Sequence, residues 1–248
     1  MPEWLQAGGW GLLAGSALLI GAAVGWFTRV PQRITASVMA FGAGVLLSAV
    51  SYELIEVAHE QGGLLPTAIG AASGAVVYTL ANVGLARRGA RHRKRSGAQP
   101  SESDKPGSGS AIAVGALLDG VPESVVIGAS LLSGGAVSLV TVAAVFLSNV
   151  PEGLSSAAGM RKAGRSRRYV FLLWTGIALV SGVAALLGNT LLGGAPPEVL
   201  ATITALAAGA ILAMITDTMV PEAFEDAHLL VGLITVAGFL TAFALSHA

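Results

Sequence analysis

The chain has no cysteine among its 248 residues, which excludes a disulfide framework and any thiolate site for a soft metal. Charge is scarce: only 11% of residues are Asp, Glu, Lys or Arg, against about 25% in an ordinary soluble domain. Fourteen basic and fourteen acidic residues balance to zero, which argues against a polyanionic partner and so against nucleic acid. Histidine is limited to His59, His92, His228 and His247. The first apolar run starts near Gly8 with no basic flank before it, so no cleavable signal peptide is expected.

What fills the chain is apolar and small. Hydrophobic residues make up 54%, glycines number 33, and the mean hydropathy is +0.74. That composition predicts an all-α polytopic membrane protein whose immediate surroundings are the lipid bilayer. Small residues let helix backbones approach closely in lipid, and glycine-lined faces permit a homodimer. Eight apolar segments reach bilayer-spanning length, at about 8–28, 34–57, 64–86, 111–132, 135–159, 169–192, 199–220 and 228–247. They form a single transmembrane domain over residues 1–248.

The basic residues orient these spans. Arg29 and Arg33 fall between spans one and two. Arg87, Arg88, Arg91, Arg93, Lys94, Arg95 and Lys105 fall between three and four. Arg161, Lys162, Arg165, Arg167 and Arg168 fall between five and six. All fourteen therefore lie in alternate loops on one side. The positive-inside rule makes that side the cytoplasm of a cell inner (plasma) membrane, with both termini extracytoplasmic. The loop at about 87–110 turns from a basic cluster into a Ser/Gly/Pro-rich stretch and is expected to be a flexible linker. Its basic cluster reflects topology and anionic headgroups rather than nucleic-acid binding.

Two matching segments interrupt the apolar pattern: Asp119-Gly120-Val121-Pro122-Glu123-Ser124 and Ser148-Asn149-Val150-Pro151-Glu152-Gly153. An ionisable group at membrane depth is costly and faces a protein interior or pathway. Each proline also displaces the carbonyl four residues earlier, of Leu118 or Leu147, and frees it for a ligand or water. Asp119 and Glu123 share a helix face at i and i+4, and Ser148 and Glu152 repeat the spacing with Asn149 beside them. Facing each other, the two helices would converge Asp119, Glu123, Ser148, Asn149 and Glu152 on one cation site. Six acids (Glu53, Glu56, Asp119, Glu123, Glu152 and Asp217) fall within spans, whereas no Lys or Arg does. Metal cations or protons are then the expected means of neutralising the buried ones.

The paired segments resemble the twin H-N-x-P-E-G and H-x-x-P-E-G signatures of the ZIP (Zrt/Irt-like) divalent-metal transporters. That resemblance implies an eight-helix bundle with kinked spans four and five. It also implies a divalent metal ion as cargo, with no organic cofactor and no enzymatic activity. Asp119 and Gly120 stand where the family has His and Asn; Ser148 replaces the second leading His, while Glu123 and Glu152 are kept. After Ser181-Gly182-Val183-Ala184, Ala185 and Leu186 stand where many members have Glu-Pro, which implies one metal rather than two. The family's histidine-rich loop between spans three and four retains here only His92. Pro221-Glu222-Ala223 resembles the close of the family's span seven, and Glu225, Asp226 and His228 would extend an exit vestibule. Glu53 and Glu56 could attract cations at the opposite end or be ordinary interfacial carboxylates.

An oxygen-only site favours a hard ion such as Mn²⁺, Fe²⁺ or Mg²⁺, although three carboxylates also bind Zn²⁺. Two rival readings follow from the departures. One is a non-transporting scaffold or sensor on the same fold. The other is an intramembrane hydrolase built on Ser148 and Glu152.

Overall fold

The computed structural model describes residues 1–91, 93–94, 99–134 and 137–247. Among the described residues eight helices are long and apolar enough to cross a membrane, and there is no strand. They are α1 (Glu3–Phe27), α2 (Gln32–Gly62), α3 (Leu64–Ala90), α4 (Ser108–Leu132), α5 (Leu139–Lys162), α6 (Arg167–Leu192), α7 (Pro197–Glu225) and α8 (His228–Ser246). The chain is an all-α, multi-pass membrane protein. Helices are the expected solution, because lipid offers no partner to a backbone N–H or C=O and each span must satisfy its own.

Local sequence sets the helix ends. Ser138 and Ser166 cap α5 and α6 by accepting the backbone N–H of Thr141 and Tyr169, and proline occupies the first turn of α7. Several helices outrun the apolar runs that predict them: α1 begins at Glu3, and α2 continues to Gly62. Three carry π-helical segments, at Val50–Ile55 in α2, Ala86–Ala90 in α3 and Ile215–Met219 in α7. Pro122 and Pro151 sit inside the otherwise continuous helices α4 and α5.

The helices pack as two groups. In one, α1 lies against α5 and α6, and α4 against α6. In the other, α2 lies against α8, and α3 against α7. Glycines bring the backbones together: a Cβ on Gly153 of α5 would collide with the Leu18 carbonyl of α1, and one on Gly74 of α3 with the Leu206 carbonyl of α7. All five candidate cation-site residues belong to α4 and α5, in the first group.

The composition of the loop between α3 and α4 predicts a flexible, solvated linker, but part of that stretch is buried. Arg93, Lys94, Gln99 and Ser108 are buried. Gly89, at φ 105°, supplies a left-handed turn that an L side chain rarely adopts, and beyond it the chain brings Arg93 and Lys94 inside the bundle. His92 and Arg95 lie outside the described residues.

A carboxylate cluster neutralised from within the chain

Asp119 lies eleven residues into α4, a rise of about 16 Å from the helix start and thus near the middle of the span. Its carboxylate is 2% exposed and fully engaged. Arg93 grips it with two bonds, Nε to Oδ2 at 3.0 Å and Nη2 to Oδ1 at 2.8 Å. Tyr78 donates its hydroxyl to Oδ1 at 2.7 Å. The same guanidinium reaches back to α3, donating to Asn82 Oδ1 at 2.8 Å and to the Tyr78 hydroxyl at 2.9 Å. Arg93 thus ties α3 of one group to α4 of the other.

Lys94 joins the two Pro-Glu helices. Its Nζ stands 2.8 Å from Glu152 Oε2 and 3.4 Å from Asp119 Oδ2. Burial alone disfavours the Lys94 ammonium, but Asp119 and Glu152 outweigh it and hold its pKa above the ordinary lysine value. One cation therefore already sits where the sequence predicts a metal.

Glu123 is different. It is buried and lines a small cavity with Leu46, Ala49 and Val50 of α2, Val145 of α5 and Ile211 of α7. Among the described residues it makes no hydrogen bond or ion pair. Three carboxylates face two fixed cations, and Glu123, at the boundary between the groups, is the one that neither cation pairs with.

The other two candidates turn away. Ser148 donates its hydroxyl to the Val145 carbonyl at 3.0 Å, and Asn149 donates its amide to the Ala14 carbonyl of α1 at 3.0 Å. The Ser148 bond stays within α5, and the Asn149 bond fastens α5 to α1. Among the described residues, no three His, Asp or Glu side chains cluster closely enough to hold one metal ion. Lys94 stands between Asp119 and Glu152. The placement of Lys and Arg outside the spans suggests metal cations or protons as the neutralising agents, but the loop supplies two cations itself.

Of the outlying acids, Glu53 has a structural role. Glu53 accepts from Ser138 at 2.8 Å and Ser246 at 2.9 Å, tying α2 to the start of α5 and the end of α8. Glu56 and Asp217 are on the outer surface, whereas Glu222 is buried. Ala185 is buried, with its Cβ against Gly11 of α1 and its carbonyl against Gly128 of α4. Close packing explains why no acid stands there.

Comparison with known proteins yields no matching family model and no matching curated protein.

Arg93 and Lys94 escape a sequence reading because nothing separates them from Arg87, Arg88 and Arg91 in the same basic run. The usable signal lies in α3. Tyr78 and Asn82 are polar groups at i and i+4 on an apolar helix, and both proved to be Arg93 partners.

The loop is also fastened beyond the cluster. Gln99 donates its amide to the Arg93 carbonyl at 2.9 Å and to the Ser156 carbonyl of α5 at 3.3 Å. Glu102 accepts the Gly107 and Gly109 amides at the start of α4 and pairs with Arg165 at 2.9 Å. The Gly107 amide, the Arg165 side chain and the Gly109 amide hold its carboxyl below the ordinary glutamate range.

Proposed function

We propose that the chain moves divalent metal cations across the membrane through the carboxylate site of α4 and α5, as a ZIP-type transporter. The observation that carries this reading is the burial of Asp119, Glu123 and Glu152 at the proline-bearing centres of two adjacent spans. Three carboxylates at that depth offer the negative oxygen donors that replace the hydration shell of a hard cation. Glu123 supports it further, since it lies between the α4–α5 pair and α2 and α7 of the other group. Movement of one group against the other around that point would expose the site alternately to the two sides.

A second reading has its own support. Arg93 and Lys94 neutralise Asp119 and Glu152 without any metal, as a non-transporting scaffold or sensor would require. Uptake by the purified protein in liposomes, across Mn²⁺, Fe²⁺, Mg²⁺ and Zn²⁺, separates the two. Saturable uptake of any of them supports transport, and none with every ion tested overturns it.

Within the transport reading, oxygen donors favour a hard ion, so Mn²⁺ or Mg²⁺ should compete effectively with Zn²⁺. Asp119→His combined with Ser148→His should move preference toward Zn²⁺. Zn²⁺ uptake by the unmodified protein that excess Mn²⁺ or Mg²⁺ leaves untouched would refute the hard-ion preference.

The orientation belongs to the same proposal: the basic loops face the cytoplasm of a plasma membrane, and both termini face away from it. Single cysteines introduced into this cysteine-free chain provide the check. In intact cells an impermeant maleimide should label the turn at residues 61–63 but not the stretch at 99–107; the reverse pattern would invert the topology.

A further inference from the structure

The loop contributes more than charge. Arg93 and Lys94 are 2% and 1% exposed, although they come from the most polar stretch of the chain. The protein makes room for them. A Cβ on Gly115 of α4 would lie 2.5 Å from the Arg93 Cδ and 2.9 Å from its Nε. The turn at Gly89 aims the chain inward, and Gln99 fastens the Arg93 carbonyl to α5. An arginine drawn in by chance needs neither a fitted groove nor a fastening.

We infer that Arg93 and Lys94 are a tethered latch that occupies the carboxylate site in place of a divalent cation and fastens the two helix groups together. Resting on the transport reading above, it specifies how that site is regulated. Two consequences follow from the geometry. Lys94 bridges Asp119 and Glu152, so a cation held by both must displace it. Arg93 binds Tyr78 and Asn82 of α3 and Asp119 of α4, so movement between the groups must break those bonds. The exchange also balances charge: two monovalent side chains withdraw and one divalent ion enters, leaving the site's net charge unchanged. Glu123 stays free throughout as an additional ligand. Gln99 is a positioning residue, holding the latch without touching the carboxylates.

Amine footprinting of the purified full-length protein tests this directly, because the chain has only three lysines: Lys94, Lys105 and Lys162. A brief pulse of an acetylating reagent, read by mass spectrometry, should label Lys94 at least ten-fold less than the exposed Lys162. Added MnCl₂ or ZnCl₂ should raise Lys94 labelling several-fold, whereas NaCl at matched ionic strength should not. Lys94 labelling equal to that of Lys162 without added metal would overturn the latch. So would Lys94 that stays shielded at a cation concentration saturating uptake, and that result would leave transport standing.

Variants give a second readout in liposomes. The double variant Arg93→Ala/Lys94→Ala, and separately Gly115→Val, which fills the arginine's groove and spares every carboxylate, should raise Mn²⁺ uptake at subsaturating concentration by three-fold or more. Unchanged or lower uptake in both, with folded protein by size-exclusion chromatography, would overturn the latch. Metal-dependent exposure of Lys94 in a protein that transports no ion would instead remove the transport reading and keep the displacement.

Discussion

Glu123→Gln should leave the protein folded and reduce divalent-cation uptake in liposomes to background. The two expectations come from the same feature. Glu123 has no ion-pair or hydrogen-bond partner among the described residues and faces a cavity lined by Leu46, Ala49, Val50, Val145 and Ile211. An amide of nearly the same size therefore breaks no existing bond, and the melting temperature should be almost unchanged. Transport needs the charge. Moving a divalent ion from water into a low-dielectric interior is prohibitive unless fixed negative oxygens replace its hydration. Arg93 and Lys94 already pair with Asp119 and Glu152, so Glu123 is the carboxylate left to give its negative oxygens to an entering cation.

Glu152→Gln should also abolish uptake, but with a cost to the loop, because Lys94 loses its partner at 2.8 Å and keeps only Asp119 at 3.4 Å. Lys94 should then be more open to acetylation than in the unmodified protein. Full uptake in the Glu123→Gln variant would show that the ion does not pass between α4 and α5.

The eight helices are legible in the sequence because each must satisfy its own backbone bonds in lipid, and the length of an apolar run measures that requirement directly. The depth and pairing of Asp119, Glu123 and Glu152 are legible for a related reason: a carboxylate inside an apolar run stands out, and helical spacing places it on a face. What pairs with them is not legible. Arg93 and Lys94 reach Asp119 from about 25 residues away in sequence, through a turn at Gly89 and a groove at Gly115. Neither glycine is distinguishable from the other thirty-one in the chain. Ser148 and Asn149 mislead in the opposite way. Their position beside Glu152 suggests ligands, yet a buried hydroxyl or amide takes the nearest carbonyl, and Val145 and Ala14 supply one. Ala185 carries a similar lesson: the missing acid reflects the approach of α1 and α4 at Gly11 and Gly128, which only the packed structure displays.

Gly153 allows that packing argument to be tested with a single methyl group. Gly153→Ala should destabilise the protein by about 1–3 kcal/mol, the usual cost of overpacking a rigid contact, and should cut cation uptake sharply. An added Cβ would collide with the backbone of α1 at Leu18, which has no flexible side chain to yield. Relief requires α5 to move away from α1, and three things move with it: Glu152, adjacent to Gly153; the Asn149 bond to the Ala14 carbonyl; and the Gln99 fastening at Ser156. Gly176→Ala in α6 is the matched control, since nothing lies within 4 Å of its Cβ. There the exchange should be neutral or stabilise by up to about 1 kcal/mol, the ordinary helix preference for alanine over glycine. Melting temperatures in detergent, followed by size-exclusion chromatography, should therefore shift down for Gly153→Ala alone, with Mn²⁺ uptake falling in the same variant. Equal melting temperatures and equal uptake for the two variants would show that α1 does not press on α5 as described, and that Glu152 is positioned by something other than this helix contact.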